Sequence, residues 1–162
     1  MKRHSVSKGT MVVAAVVLLA LGGTATAADV IYGFNLVGPQ ITASSSGVSI
    51  ELTGSGSFST AGTVVGGGSF AIRNAHGSVT SHGAWAATGF TGFTPFGGPN
   101  LGHLGGTLLI TVTLFPQDGP PQTDLPMNIT CEIDAPSFTF EGVTVGTFVT
   151  VQHGHTLFHQ DN

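Results

Sequence analysis

Apolar and polar residues alternate with period two through much of the chain. Val48, Ile50 and Leu52 interleave with Ser49, Glu51 and Thr53, and Leu108, Ile110, Val112 and Leu114 with Thr107, Thr111 and Thr113. Met127, Ile129, Cys131 and Ile133 alternate with Asn128, Thr130 and Glu132, and Val143, Val145, Val149 and Val151 continue the rhythm. Successive side chains of an extended strand point to opposite faces, so each run predicts a strand with one face in a core and one in water. Turn-forming residues separate the runs: Ser46-Gly47, Ala61-Gly62, Asn74-Ala75-His76-Gly77, Asp118-Gly119-Pro120-Pro121 and Ala135-Pro136. No window carries a 3.6-residue period, and 25 glycines among many Thr, Val and Phe oppose helix.

The expectation is an all-β protein: a single antiparallel β-barrel of about eight strands in a meander, with a β-sandwich as the alternative. Glycines inside strand-like runs (Gly54, Gly56, Gly66 to Gly68, Gly83) suit the tight coiling of a small closed sheet, which favours the barrel.

The first residues follow another pattern. Lys2, Arg3 and Lys8 precede the apolar run Met11 to Leu21, and small residues then end in Ala25-Thr26-Ala27. This is the order of a helical secretory signal peptide, residues 1–27, expected to be cleaved before Ala28, with an uncleaved anchor as the alternative. As a helix the apolar run rises only about 16 Å, short of a ~30 Å hydrocarbon core. Residues 28–162 then form one domain, secreted to an extracellular or periplasmic space, with no membrane contact after cleavage.

Past that leader, Arg73 is the only lysine or arginine. Eight acids against one arginine give a net charge of −7 with histidines neutral. Phosphate-backbone binding needs several cations to release counterions, so nucleic acid is excluded as a partner. Without lysine, Schiff-base chemistry is excluded too. Charged residues are 7% of the chain, against about 25% in ordinary domains, and so thin a charge favours association into a homo-oligomer. Arg73 has the parity opposite to Phe70 and Ile72, so it is expected to face outward, capping carbonyls or pairing with an acid. The lone Cys131 has inward parity and is expected to be a buried apolar group. Glu132 and Asp134 share the outward parity and read as a solvated face.

One segment fits neither period. Gly89-Phe90-Thr91-Gly92-Phe93-Thr94-Pro95-Phe96-Gly97-Gly98 repeats phenylalanine every third residue, and glycine-rich sequence continues to Gly106. It is expected to be a long connection whose phenylalanines fold back over an apolar opening, either as a plug or as the lip of a ligand site. Trp85, Phe90, Phe93 and Phe96 are accordingly the candidate ligand-binding residues.

Val64-Val65-Gly66-Gly67-Gly68-Ser69-Phe70, followed by Arg73, Ala75 and Gly77, resembles the hairpin of dirigent and allene-oxide-cyclase-type barrels. Gly54-Ser55-Gly56-Ser57-Phe58 and Gly83-Ala84-Trp85-Ala86-Ala87-Thr88 are similar to small exported bacterial β proteins of unassigned function. The resemblance spans roughly Ile50 to Thr88. It implies an eight-stranded antiparallel barrel with an interior cavity, often oligomeric. The charged residues those enzymes use in their cavities have no match here, so no catalytic residue carries over.

Classical catalytic signatures are missing from the chain. Gly67-Gly68-Ser69-Phe70-Ala71 departs from the G-x-S-x-G elbow at its last position and lacks the strand-to-helix context. His153, His155 and His159 share a parity near the C-terminus, and on an unbroken strand they would point inward or to a barrel mouth. Three or four converging imidazoles, with His103 as the fourth, could hold Zn²⁺ or Cu²⁺. The leading expectation is an exported, non-enzymatic β-barrel that needs no cofactor and binds a small apolar ligand or a surface partner. The alternatives are a small cyclase- or isomerase-like cavity enzyme acting on an uncharged hydrophobic substrate, and a histidine-based metal-binding protein.

Overall fold

The computed structural model describes residues 29–97 and 102–160. The expected leader, residues 1–27, lies outside the described residues. Ten strands and no helix make up the described chain: β1 (Ile31–Ala43), β2 (Ser49–Ser59), β3 (Thr63–Arg73), β4 (Val79–Pro95), β5 (His103–Leu104), β6 (Gly106–Pro116), β7 (Gln122–Cys131), β8 (Gly142–Val145), β9 (Thr150–His153) and β10 (Thr156–Gln160). Every predicted turn sits between two of them. All pairings are antiparallel and belong to one sheet, in the order β5-β10-β1-β2-β3-β4-β6-β7-β8, with β9 paired to the far half of β1. Strands β1 to β4 and β6 to β8 form the expected meander, and the C-terminal β10 returns to lie beside β1.

The sheet is an open half-barrel. Among the described residues no main-chain ladder joins its two ends. Two threonine hydroxyls cross the gap instead: Thr42 of β1 donates to the carbonyl of Val143 in β8, and Thr156 of β10 donates to the carbonyl of Thr130 in β7 at 2.6 Å. Both threonines are fully buried, so each bond satisfies a hydroxyl that burial would otherwise penalise.

The interior is filled by the inward parity the alternation predicts. Ile50, Leu52, Leu108, Ile110, Val112, Leu114, Met127 and Ile129 are at most 1% exposed. Two aromatic rings cover the glycine-rich part of β2 and β3. Gly54, Gly68 and Trp85 are register partners across β2, β3 and β4, and the indole lies over Gly54. One row along, Gly56 pairs with Gly66 and the Phe34 ring covers both. Large side chains thus lie flat where neighbouring positions have none, and the core stays dense.

Two readings need correction. The segment Gly89–Pro95 is strand, the second half of β4, rather than a connection. Its three-residue period arises from two β-bulges against β6, between Ala87 and Gly89 and between Phe90 and Gly92. Each bulge adds one residue to β4 without advancing β6, so Ala87, Phe90 and Phe93 face Val112, Ile110 and Leu108 in steps of three against steps of two. The second correction concerns the C-terminus. The chain from Val143 to His159 is three strands, broken at Gly146, whose φ is 54°, and at Gly154. Gly154 lies between β9 and β10, packed against Gly142 and Gln40.

Candidate functional site

The candidate aromatic residues divide between the core and the surface. Trp85 is 2% exposed and its indole Nε1 donates to the Thr53 carbonyl at 2.9 Å. Phe90 and Phe93 are partly buried against the core, where they join a ring cluster with Tyr32, Phe58 and Phe158. Phe93 and Phe58 are closest, with centroids 4.7 Å apart. Edge-to-face and tilted contacts of this kind add to the burial of each ring. The rings pack on one another and on the core. Phe96, held past the end of β4 by its N–H donating to the Gly105 carbonyl at 3.0 Å, lies elsewhere.

Phe96 lines a groove of about 620 Å³ on the outer face of the sheet. The buried Leu108, Met127, Ile129 and Val143 fix the inner face of β6, β7 and β8, so Thr107, Asn128, Thr130 and Thr144 must point the other way. These four side chains form the groove floor, and Thr107 and Thr130 place their hydroxyls 3.3 Å apart across the β6–β7 pair. Phe96 and Phe140 stand along the groove, and Val149 and Val151 approach from the β9 side. Val151 is brought there because Gly142 has no side chain. A Cβ at Gly142 would lie 2.7 Å from the valine methyl.

Glu141 fastens the wall that carries Phe140. Its side chain is only 12% exposed, and Oε1 accepts from the Thr156 N–H at 2.8 Å and contacts His155 Nδ1 at 3.0 Å. The carboxylate therefore ties the 132–141 loop to the start of β10. Within that loop Thr139 donates twice to the Pro136 carbonyl, from its N–H at 3.2 Å and from its hydroxyl at 2.7 Å. Phe138, between them, is 95% exposed at a φ of 71°, a left-handed conformation that costs a bulky residue roughly 1–2 kcal/mol.

The three candidate metal ligands are not brought together. His153 faces Ile41 and His159 faces Gly33, eight residues apart along β1 and on the order of 20 Å or more. His153 and His155 are exposed, correcting the inward placement expected from an unbroken strand. His155 belongs to the Glu141 contact. His159 lies on the outer face, its ring over Gly33, opposite His103 on β5. Among the described residues no three His, Cys, Asp or Glu side chains are grouped as a ligand set.

Arg73 faces outward as its parity predicts, 3.2 Å from Glu51 and 3.2 Å from the Gly77 carbonyl. With both partners about a third exposed, the pair adds little to stability. Cys131 is 1% exposed, and burial pushes its thiol above the usual thiol range, with the nearby Glu141 carboxylate acting in the same direction. The folded state thus favours the neutral thiol. That contribution is intact below about pH 8.5, where a thiol in the unfolded chain titrates, and declines as pH rises toward the folded value. Cys131→Ala is expected to remove this alkaline loss. Iodoacetamide labelling of the native protein at pH 8 should run on the order of a thousandfold slower than labelling in urea, since reaction awaits an opening that costs several kcal/mol. A native rate within about tenfold of the unfolded one would show the thiol to be accessible.

Sequence alternation does place Thr107, Asn128 and Thr130 on a polar face. It carries no signal that Phe140, Val149 and Val151 rise beside them, because those contacts depend on how the loops after β7 and β8 return. Comparison of the chain with protein-family models, with curated proteins and with solved structures returns no match.

Proposed function

We propose that the protein is an exported, non-enzymatic binding module whose ligand occupies the outer groove over β6, β7 and β8. The observation that carries this reading is the division between an interior whose glycine-rich part is taken up by aromatic rings, with a pocket of only about 140 Å³ beside Leu114 and Val145, and a larger walled concavity outside it. Trp85, Phe34, Phe58 and Phe158 are at most 2% exposed and occupy the space an interior ligand would need. The groove, at about 620 Å³, is within the roughly 300–1,000 Å³ range of small-molecule sites. Export rests on the basic, apolar and small-residue order of residues 1–27. In the same reading, the resemblance of the Val64–Phe70 hairpin to dirigent-type barrels reflects shared strand architecture rather than shared catalysis. The cavity-enzyme and metal-binding alternatives have less support, the first needing interior space and the second a ligand cluster.

Titration of the purified protein with isopropanol, followed by amide NMR, tests the location. Isopropanol carries both a hydroxyl and an apolar face and collects wherever a small ligand can bind. The expected result is a cluster of shifted amides at Thr107, Asn128, Thr130 and Thr144, with those around Trp85 and Phe158 unmoved. Shifts centred on the interior would favour the cavity reading, and scattered shifts with no cluster would sink the binding-module reading.

A further inference from the structure

The chemistry of the groove narrows what it can hold. Among the described residues, none that lines it carries a charged side chain. Among the described residues an anion would find no Lys or Arg there, since Arg73, the one such residue described, is committed to Glu51 and Gly77 on another part of the sheet. A cation would find no carboxylate. Of the two acids near the groove, Glu141 is already engaged by Thr156 and His155, and the exposed Asp134 lies beside Gly97, outside the lining. Charge complementarity therefore points to a neutral ligand.

A purely apolar ligand fits poorly. It would cover the Thr144 hydroxyl and the Asn128 amide without satisfying them, at about 1–3 kcal/mol for each group left unpaired. A ligand with hydroxyls on its edges and C–H groups on its faces matches both sets of surfaces. Its hydroxyls would exchange hydrogen bonds with Thr107, Asn128, Thr130 and Thr144, and its apolar face would lie against Phe140 or Phe96. Phe140 is 79% exposed, so its ring has a free face to offer. It sits one residue from the Glu141 anchor, and the Thr139–Pro136 bonds fix the turn before it. With the backbone on both sides anchored, the ordering cost of binding is confined to the side chain itself. The groove is partly open to solvent rather than enclosed, so a section of a chain can enter it.

We propose that this groove binds a neutral oligosaccharide. The inference rests on the binding-module reading above and adds the ligand class. Its test is isothermal titration calorimetry of the purified protein with four uncharged tetrasaccharides: maltotetraose, cellotetraose, mannotetraose and N-acetylchitotetraose. Saturable binding of at least one is expected. Asn128→Ala and Phe140→Ala should each weaken it by about tenfold, the effect of losing one hydrogen bond or one stacking contact. Thr53→Ala, on the outer face of β2, should leave it unchanged. Thermal melting checks that each variant is folded, and both groove residues are exposed enough for substitution to leave the core intact.

If no tetrasaccharide binds while isopropanol still collects in the groove, the saccharide inference fails and the binding module stands. If neither binds there, both fail. Binding of a tetrasaccharide that Asn128→Ala and Phe140→Ala leave unchanged would also overturn the proposal, since the sugar would then sit elsewhere.

Discussion

Trp85→Ala is expected to lower the free energy of unfolding by about 3–5 kcal/mol, the range for removing a large buried aromatic. The indole is 2% exposed, and its N–H holds the Thr53 carbonyl of β2 from across β3. It therefore joins three strands of the sheet. Truncation leaves a cavity over Gly54 and Gly68, which have no side chains to refill it, and removes the donor from Thr53. Against a typical total of about 5–15 kcal/mol the loss is large, and it should appear as a fall in Tm on the order of 10–20 °C. Trp85→Phe separates the contributions. It keeps most of the packing and loses the hydrogen bond, so about 1–3 kcal/mol is expected. Chemical denaturation of both variants provides the measurement. A loss below about 1 kcal/mol for Trp85→Ala would mean that the interior already holds space, and the reading of a filled sheet would have to be abandoned.

Much of the fold can be read from the sequence because strand alternation is a local property. Residues such as Leu108, Ile110, Met127 and Ile129 enter the core on parity alone, and parity also turns Arg73 outward and Cys131 inward. The expected turns hold because Gly, Asn, Asp and Pro act within three or four residues. Parity misleads wherever the ladder slips. In β4 the two bulges convert a period of two into a period of three, so a strand looks like a connection. Between Val143 and His159 two glycine breaks reset the phase, and histidines that share a parity on paper face separate regions of β1. The strand count rises from about eight to ten for the same reason, with the two-residue β5 added at the sheet edge.

The groove follows a different rule. Its floor of Thr107, Asn128 and Thr130 is legible as the polar side of two strands. Its walls depend on non-local events: the anchoring of Glu141 by Thr156, and the approach of Val151 over Gly142. Neither has a periodic signature. The filled interior was equally hard to foresee. The resemblance to dirigent-type barrels implies an interior cavity, and only the rings of Trp85 and Phe34 over the Gly54–Gly68 and Gly56–Gly66 pairs show that the space there is taken.

Gly68→Ala tests that arrangement from the glycine side, with a loss of about 3 kcal/mol or more expected, at or above the upper end of ordinary overpacking. A Cβ at Gly68 would lie 1.8 Å from the Thr53 carbonyl oxygen and 2.6 Å from the Gly54 Cα. Both obstacles are backbone, so no rotamer change relieves them and β2 must move away from β3. Gly54 cannot absorb the shift cheaply. It is held at a φ of 152°, and its own Cβ position is already closed by the Gly67 carbonyl and the Trp85 ring. The displaced carbonyl is also the acceptor of the Trp85 N–H, so the two sites are coupled through one atom. Gly68→Ala and Trp85→Phe combined should therefore be less damaging than the sum of the two, with an interaction of about 0.5–3 kcal/mol. Gly92→Ala is the control, because nothing lies within 4 Å of its Cβ position and its φ is not left-handed. It is expected to be neutral or to stabilise by about 0.4–1 kcal/mol through the unfolded chain. If Gly68→Ala proved as mild as Gly92→Ala, the close approach of β2 and β3 beneath the indole would be wrong. The sheet would then have room beneath Trp85 for a side chain that the glycines lack.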